Sequence, residues 1–128
     1  MFRSVLPVLR VADLQNAIDW YTSRLGFEII WRSPNDGEGE NCMLRAGNVS
    51  LLLSTGSHLG DHPKFTGTLY FDTSGVREFY EQVKDKVEVV WPLERMEYGN
   101  LEFGIHDCDG YTLAFAESAE HVPEMVGT

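Results

Sequence analysis

Cysteine is scarce in this chain: of 128 residues only Cys42 and Cys108 are cysteine, far apart and in no CxxC pair. That count excludes a disulfide framework and a thiolate metal knuckle, and reduced thiols in the cytoplasm are the expectation. Cations are short as well, with 10 Lys+Arg against 20 Asp+Glu for a formal net charge of −10. So acidic a chain repels phosphate backbones, and no nucleic-acid partner is expected. A cationic small ligand would be attracted, although the same acidity also serves solubility. No run of about 18 apolar residues occurs and no apolar leader follows Met1, so neither a membrane span nor a secretory signal is expected. What is present is a 43% apolar content, enough at this length for a core without staples.

The segment Ser4 to Val11 reads as a strand, and Asp13 offers an N-cap to a helix whose apolar positions are Leu14, Ala17, Ile18, Tyr21 and Leu25. Gly26 stands where a helix end wants a left-handed residue, and Glu28 to Trp31 then turns to strand chemistry. The cluster Ser33 to Gly37 is a turn; Asn41 to Arg45 and Val49 to Ser54 flank Ala46-Gly47-Asn48 as a hairpin. The second half repeats the order. Thr66 to Asp72 is a strand, Ser74 to Lys84 a helix with Val76, Phe79, Tyr80 and Val83 on one stripe, and Val87 to Trp91 a strand closed by Pro92. A further short strand near Arg95 to Tyr98 is expected, then Leu101 to His106 and Tyr111 to Glu117 as a hairpin about Asp107-Cys108-Asp109-Gly110.

Trp20-Tyr21 matches Phe79-Tyr80, and Glu28-Ile29-Ile30-Trp31 matches Glu88-Val89-Val90-Trp91, so the chain reads as an internal repeat. The fold class is α+β: two βαβββ units in one domain spanning 1–128, with repeat one at about 4–55, a connector at 56–65, repeat two at about 66–117 and a tail at 118–128. Strand parity splits each strand into two faces. Leu113 and Phe115 oppose Thr112, Ala114 and Ala116; Val49, Leu51 and Leu53 oppose Ser50, Leu52 and Ser54; Leu69 and Phe71 oppose Thr68, Tyr70 and Asp72; Val5, Pro7, Leu9 and Val11 oppose Leu6, Val8 and Arg10. The continuous apolar faces should lie under the helices, leaving the others to line a concave ligand surface or to meet solvent or a partner subunit.

Two βαβββ units, the phrase Pro7-Val8-Leu9-Arg10-Val11-Ala12-Asp13-Leu14, Trp20-Tyr21 and Leu25-Gly26-Phe27 together resemble the vicinal oxygen chelate superfamily of glyoxalases, extradiol dioxygenases and bleomycin-resistance proteins. The stretch Phe103 to Tyr111 is similar to its late D-P-D-G hairpin, with Cys108 in place of proline. The resemblance covers about residues 4 to 117. It implies that metal-dependent relatives carry ligands at the positions of Leu6, Leu52, Thr68 and Ala114, none of which is a metal ligand here. A one-residue slip in either direction brings in none.

The metal-free bleomycin-resistance group is the nearest match, through Val5-Leu6-Pro7-Val8-Leu9 and through Tyr98-Gly99-Asn100-Leu101-Glu102-Phe103. That resemblance implies a homodimer without cofactor that sequesters a small molecule, cationic and aromatic, in a crevice. The expected ligand-facing residues are Leu6, Leu52, Thr68, Tyr70, Tyr98, Phe103 and Ala114, with Trp31 and Trp91 expected chiefly in the core. The alternative is a glyoxalase-like lyase, isomerase or dioxygenase-family enzyme with a non-standard site, drawing on His58, His62 or Glu102. His58 and His62 flank Asp61 in the connector, where exposed solvated histidines are the commoner case; His106 reads as structural, His121 lies in the tail, and Glu117 is a further conceivable base. No catalytic set can be assembled from the sequence.

Overall fold

The computed structural model describes residues 1–33 and 39–118. The expected turn at 34–37 and His121 lie outside the described residues. The chain divides into two compact units, Met1–Phe65 and Thr66–Thr128.

In the first unit the helix α1 (Leu14–Leu25) starts where Asp13 accepts a hydrogen bond from the Asn16 backbone N–H at 2.8 Å, and ends at Gly26 with φ 76°. That left-handed value carries a penalty for any residue with a Cβ. Leu14, Ala17, Ile18, Tyr21 and Leu25, the expected stripe, are all buried. They cover a four-stranded sheet of β1 (Val8–Arg10), β2 (Glu28–Arg32), β3 (Asn41–Ala46) and β4 (Val49–Ser54) in the order β1-β4-β3-β2, with β1 parallel to β4. The opening strand is shorter than the expected Ser4 to Val11. Pro7 has no N–H to give, so the ladder begins with its carbonyl accepting from Leu52 at 2.9 Å, and residues 1–6 stay exposed. A short 3-10 helix, Ser57–Leu59, lies in the connector.

The second unit repeats the plan with β5 (Thr68–Asp72), α2 (Val76–Val83), β6 (Glu88–Arg95), β7 (Leu101–His106) and β8 (Thr112–Glu117), in the order β5-β8-β7-β6 and with β5 parallel to β8. Its core is aromatic. Phe71 stacks on Phe115 at 4.8 Å and Phe103 on Phe115 at 5.2 Å, while Phe79 of α2 meets Phe115 at 5.0 Å and Tyr80 meets Phe103 at 4.9 Å. Helix α2 begins at Gly75 without a side-chain cap of its own, and Glu117 takes that role by accepting from the Gly75 and Val76 N–H groups at 3.2 Å each. Glu117, considered above as a base, is therefore committed to holding a helix end.

Two expectations for this unit are corrected. Pro92 does not close its strand: β6 runs on to Arg95, because an edge strand tolerates a proline whose missing donor faces outward. No strand forms at Arg95 to Tyr98 either. Met96 donates to the Asn100 carbonyl at 2.8 Å and Gly99, at φ 100°, to the Met96 carbonyl at 2.9 Å, which turns β6 back into β7.

Candidate functional site

The register of the second sheet sorts its residues into two faces, since partners across a ladder share a face. The face packed on α2 carries Phe71, Phe115 and Phe103, with Leu69, Leu113, Ile105 and Val89 in the next row. The opposite face has three rows. They are Asp72, Ala116, Glu102 and Glu94; then Tyr70, Ala114, Gly104 and Trp91; then Thr68, Thr112, His106 and Glu88.

Trp91 reaches that face through an irregularity. Val89 pairs with Ile105 but Trp91 pairs with Gly104, so two steps along β6 match one along β7. Such a bulge reverses the parity of everything beyond it. The first unit repeats the device: Ile29 pairs with Leu44 but Trp31 with Met43, and Trp31 is 52% exposed. Expecting both tryptophans chiefly in the core rested on unbroken alternation, which the bulges defeat. The visible sequence signal was the matching pair of strands itself, Glu-Ile-Ile-Trp and Glu-Val-Val-Trp.

The Trp91 indole lies directly over Gly104, where a Cβ would come within 2.4 Å of its ring. With the ring so seated, Trp91 Nε1 donates to Glu102 Oε2 at 3.2 Å. Tyr70 from β5 donates its hydroxyl proton to the same oxygen at 3.1 Å, and Tyr98, carried back by the turn between β6 and β7, donates to Oε1. Three neutral donors from three elements thus converge on one carboxylate, and Glu102 is only 1% exposed. Donation to Glu102, then burial, then the neighbouring Tyr70 hydroxyl hold the Tyr98 phenol well above the ordinary tyrosine value. Tyr70 and Tyr98 nonetheless show 58% and 64% of their surface. The result is an open aromatic surface over a buried acid.

The expected ligand-facing residues divide as follows. Thr68, Tyr70 and Ala114 lie on this face, Thr68 exposed and Ala114 fully buried, and Tyr98 is tied to it through Glu102. Phe103 does not: it pairs with Phe115, faces α2 and is fully buried. Its assignment to the face of Ala114 is corrected by that register, in which Gly104 is the partner of Ala114. Leu52 lies in the first unit on the face away from α1, paired with Val8 and Met43, and Leu6 precedes β1 and is 39% exposed. Glu102 had no positioning partner from sequence alone, although the alternation Leu101, Glu102, Phe103, Gly104, Ile105, His106 already set it opposite the apolar residues.

The four positions where the resemblance puts metal ligands hold two leucines, a threonine and an alanine, a donor set that does not fit a transition metal. Among the described residues no three His, Cys, Asp or Glu side chains could hold an ion together. His62 bonds its neighbour Asp61 at 2.5 Å in an exposed position, and His58 is exposed on the 3-10 helix. His106 meets Glu88 at 3.3 Å.

Residues 4–115 match the model of one family, described as the Glyoxalase/Bleomycin resistance protein/Dioxygenase superfamily. The chain belongs to that superfamily. Its fold is shared by solved superfamily structures of low identity. A member from Sphaerobacter thermophilus DSM 20745 is 22% identical at a TM-score of 0.76, over 92% of this chain and 98% of that one. TioX from Micromonospora sp. ML1 is 19% identical at a TM-score of 0.73, over 94% and 100%. Glyoxalase I from Zea mays is 21% identical at a TM-score of 0.75, over 91% of this chain but 45% of that one. No curated protein matches the chain. Superfamily members thus share the scaffold, and the residues on the open face of the second unit distinguish this one.

Proposed function

We propose that this superfamily member is a metal-free binding protein of the bleomycin-resistance type, sequestering a small molecule that is aromatic and positively charged. The observation that carries the reading is the face holding Tyr70, Trp91 and Tyr98 around buried Glu102. Exposed aromatic planes stack on flat rings and attract cations through their negative faces. The acidic rows of the same face and the chain's net charge of −10 favour the same partner. Ala114 and Gly104 keep the floor of the middle row low, leaving room above the sheet. No bond is made or broken in this role.

In the same reading the protein acts in the cytoplasm as a homodimer. Its support is the edge strand β2, exposed along its whole length with Ile29, Ile30 and Trp31 outward, the kind of edge a second copy covers. No helix among the described residues is long and apolar enough to cross a membrane.

A thermal-shift titration with a cationic glycopeptide of the bleomycin class tests the binding role, because a ligand of the native state raises the midpoint by mass action. A saturable rise that a Trp91→Ala variant loses is expected. No rise with the glycopeptide, together with a rise with divalent metal alone, would overturn the reading.

A further inference from the structure

The geometry points to a ligand that carries its positive charge on N–H donors, a primary ammonium or a guanidinium, selected by the direction of the hydrogen bonds around Glu102. This rests on the binding role proposed above and specifies the chemistry of that site. A phenol has one proton and accepting lone pairs, and an indole has one proton and no acceptor. Tyr70, Tyr98 and Trp91 each commit that single proton inward to the Glu102 carboxylate. The two exposed hydroxyls are therefore left with lone pairs alone to offer outward. A surface of this kind binds donors and repels carboxylates and phosphates.

The charge of the surroundings agrees. No ion pair reaches Glu102 among the described residues, and the twelve paired positions of its face contain no Lys or Arg. Asp72, Glu88 and Glu94 share that face with it, and the one histidine, His106, is bonded to Glu88. A buried negative charge matched only by neutral dipoles attracts an external cation more strongly than a surface charge does, because less water screens it. Glu102 has little surface of its own, so the ligand meets the tyrosine oxygens and rings while Glu102 fixes which way their protons point. It is a positioning residue.

Three probes that differ only in their polar end decide the matter: phenethylamine, its N,N,N-trimethyl derivative and 3-phenylpropanoate, titrated by NMR against the full chain at millimolar concentration. A hydrogen bond to a charged group is worth on the order of ten-fold in affinity, so phenethylamine should bind about ten-fold tighter than the trimethyl probe, and the carboxylate least. Glu102→Gln should collapse that ratio, since a carboxamide donates as well as accepts and releases a phenol proton. Tyr98→Phe, at an exposed position where folding is safe, should lower the ratio several-fold with the ring retained. Equal binding of the ammonium and trimethyl probes would overturn the donor rule while leaving the binding role standing. Binding of the carboxylate as tightly as the ammonium would overturn it too, and failure of all three to bind would overturn both.

Discussion

Glu102 owes its place to a requirement that holds for any buried acid: each carboxylate oxygen taken from water must regain hydrogen bonds from the protein. Tyr70, Trp91 and Tyr98 supply them. Removing the acceptor leaves the Trp91 N–H without its partner, so Glu102→Ala should destabilise the fold by about 2 kcal/mol in urea denaturation. The raised Tyr98 phenol gives a pH signature. A group that holds its proton more tightly when folded adds stability that is present below its ordinary value, near 10.0, and is lost as pH rises through the higher folded value. The chain should therefore lose stability in the alkaline range more steeply than its Tyr98→Phe variant. Cys108 behaves alike: burial first, then the charges of Asp109 and Asp107, push its thiol up to about 12. It should react with a disulfide reagent at pH 8 far more slowly than a free thiol, despite its place on an exposed turn.

At the level of elements, both helices were legible because their signals are local: the Asp13 cap, the Gly26 stop and a buried stripe that falls where helical spacing puts it. Face assignment in β4, β5 and β8 was legible from alternation. Two things were not. A bulge is a property of pairing between strands, so no reading of β2 or β6 alone could show that Trp31 and Trp91 change face. The error at Phe103 has the same origin, since which residue of β7 opposes Ala114 is a matter of register. Glu102 was visible as a residue, whereas its three donors come from β5, β6 and the turn that follows β6, and only the fold assembles them. Gly104 is the element-level test. Gly104→Ala places a methyl where the Trp91 ring lies, within 2.4 Å, and should cost about 1–3 kcal/mol with a shift in tryptophan emission.

For the whole molecule, superfamily membership explains why the same βαβββ plan occurs twice, and why each unit sets one helix on one face of one sheet. It leaves the ligand to side chains that the scaffold tolerates freely. The homodimer has a simple check: sedimentation at micromolar concentration should show a species of twice the 14.5 kDa chain mass, and a single species at the chain mass would refute it. The binding face has a sharper one, because the Trp91 indole N–H gives its own NMR resonance. Titration with a cationic aromatic ligand should move the signals of Trp91, Tyr70, Tyr98 and Thr68 together and saturably, leaving those of α2 in place. Saturable shifts confined to α2 or to the connector, or no shift at millimolar ligand, would contradict the account.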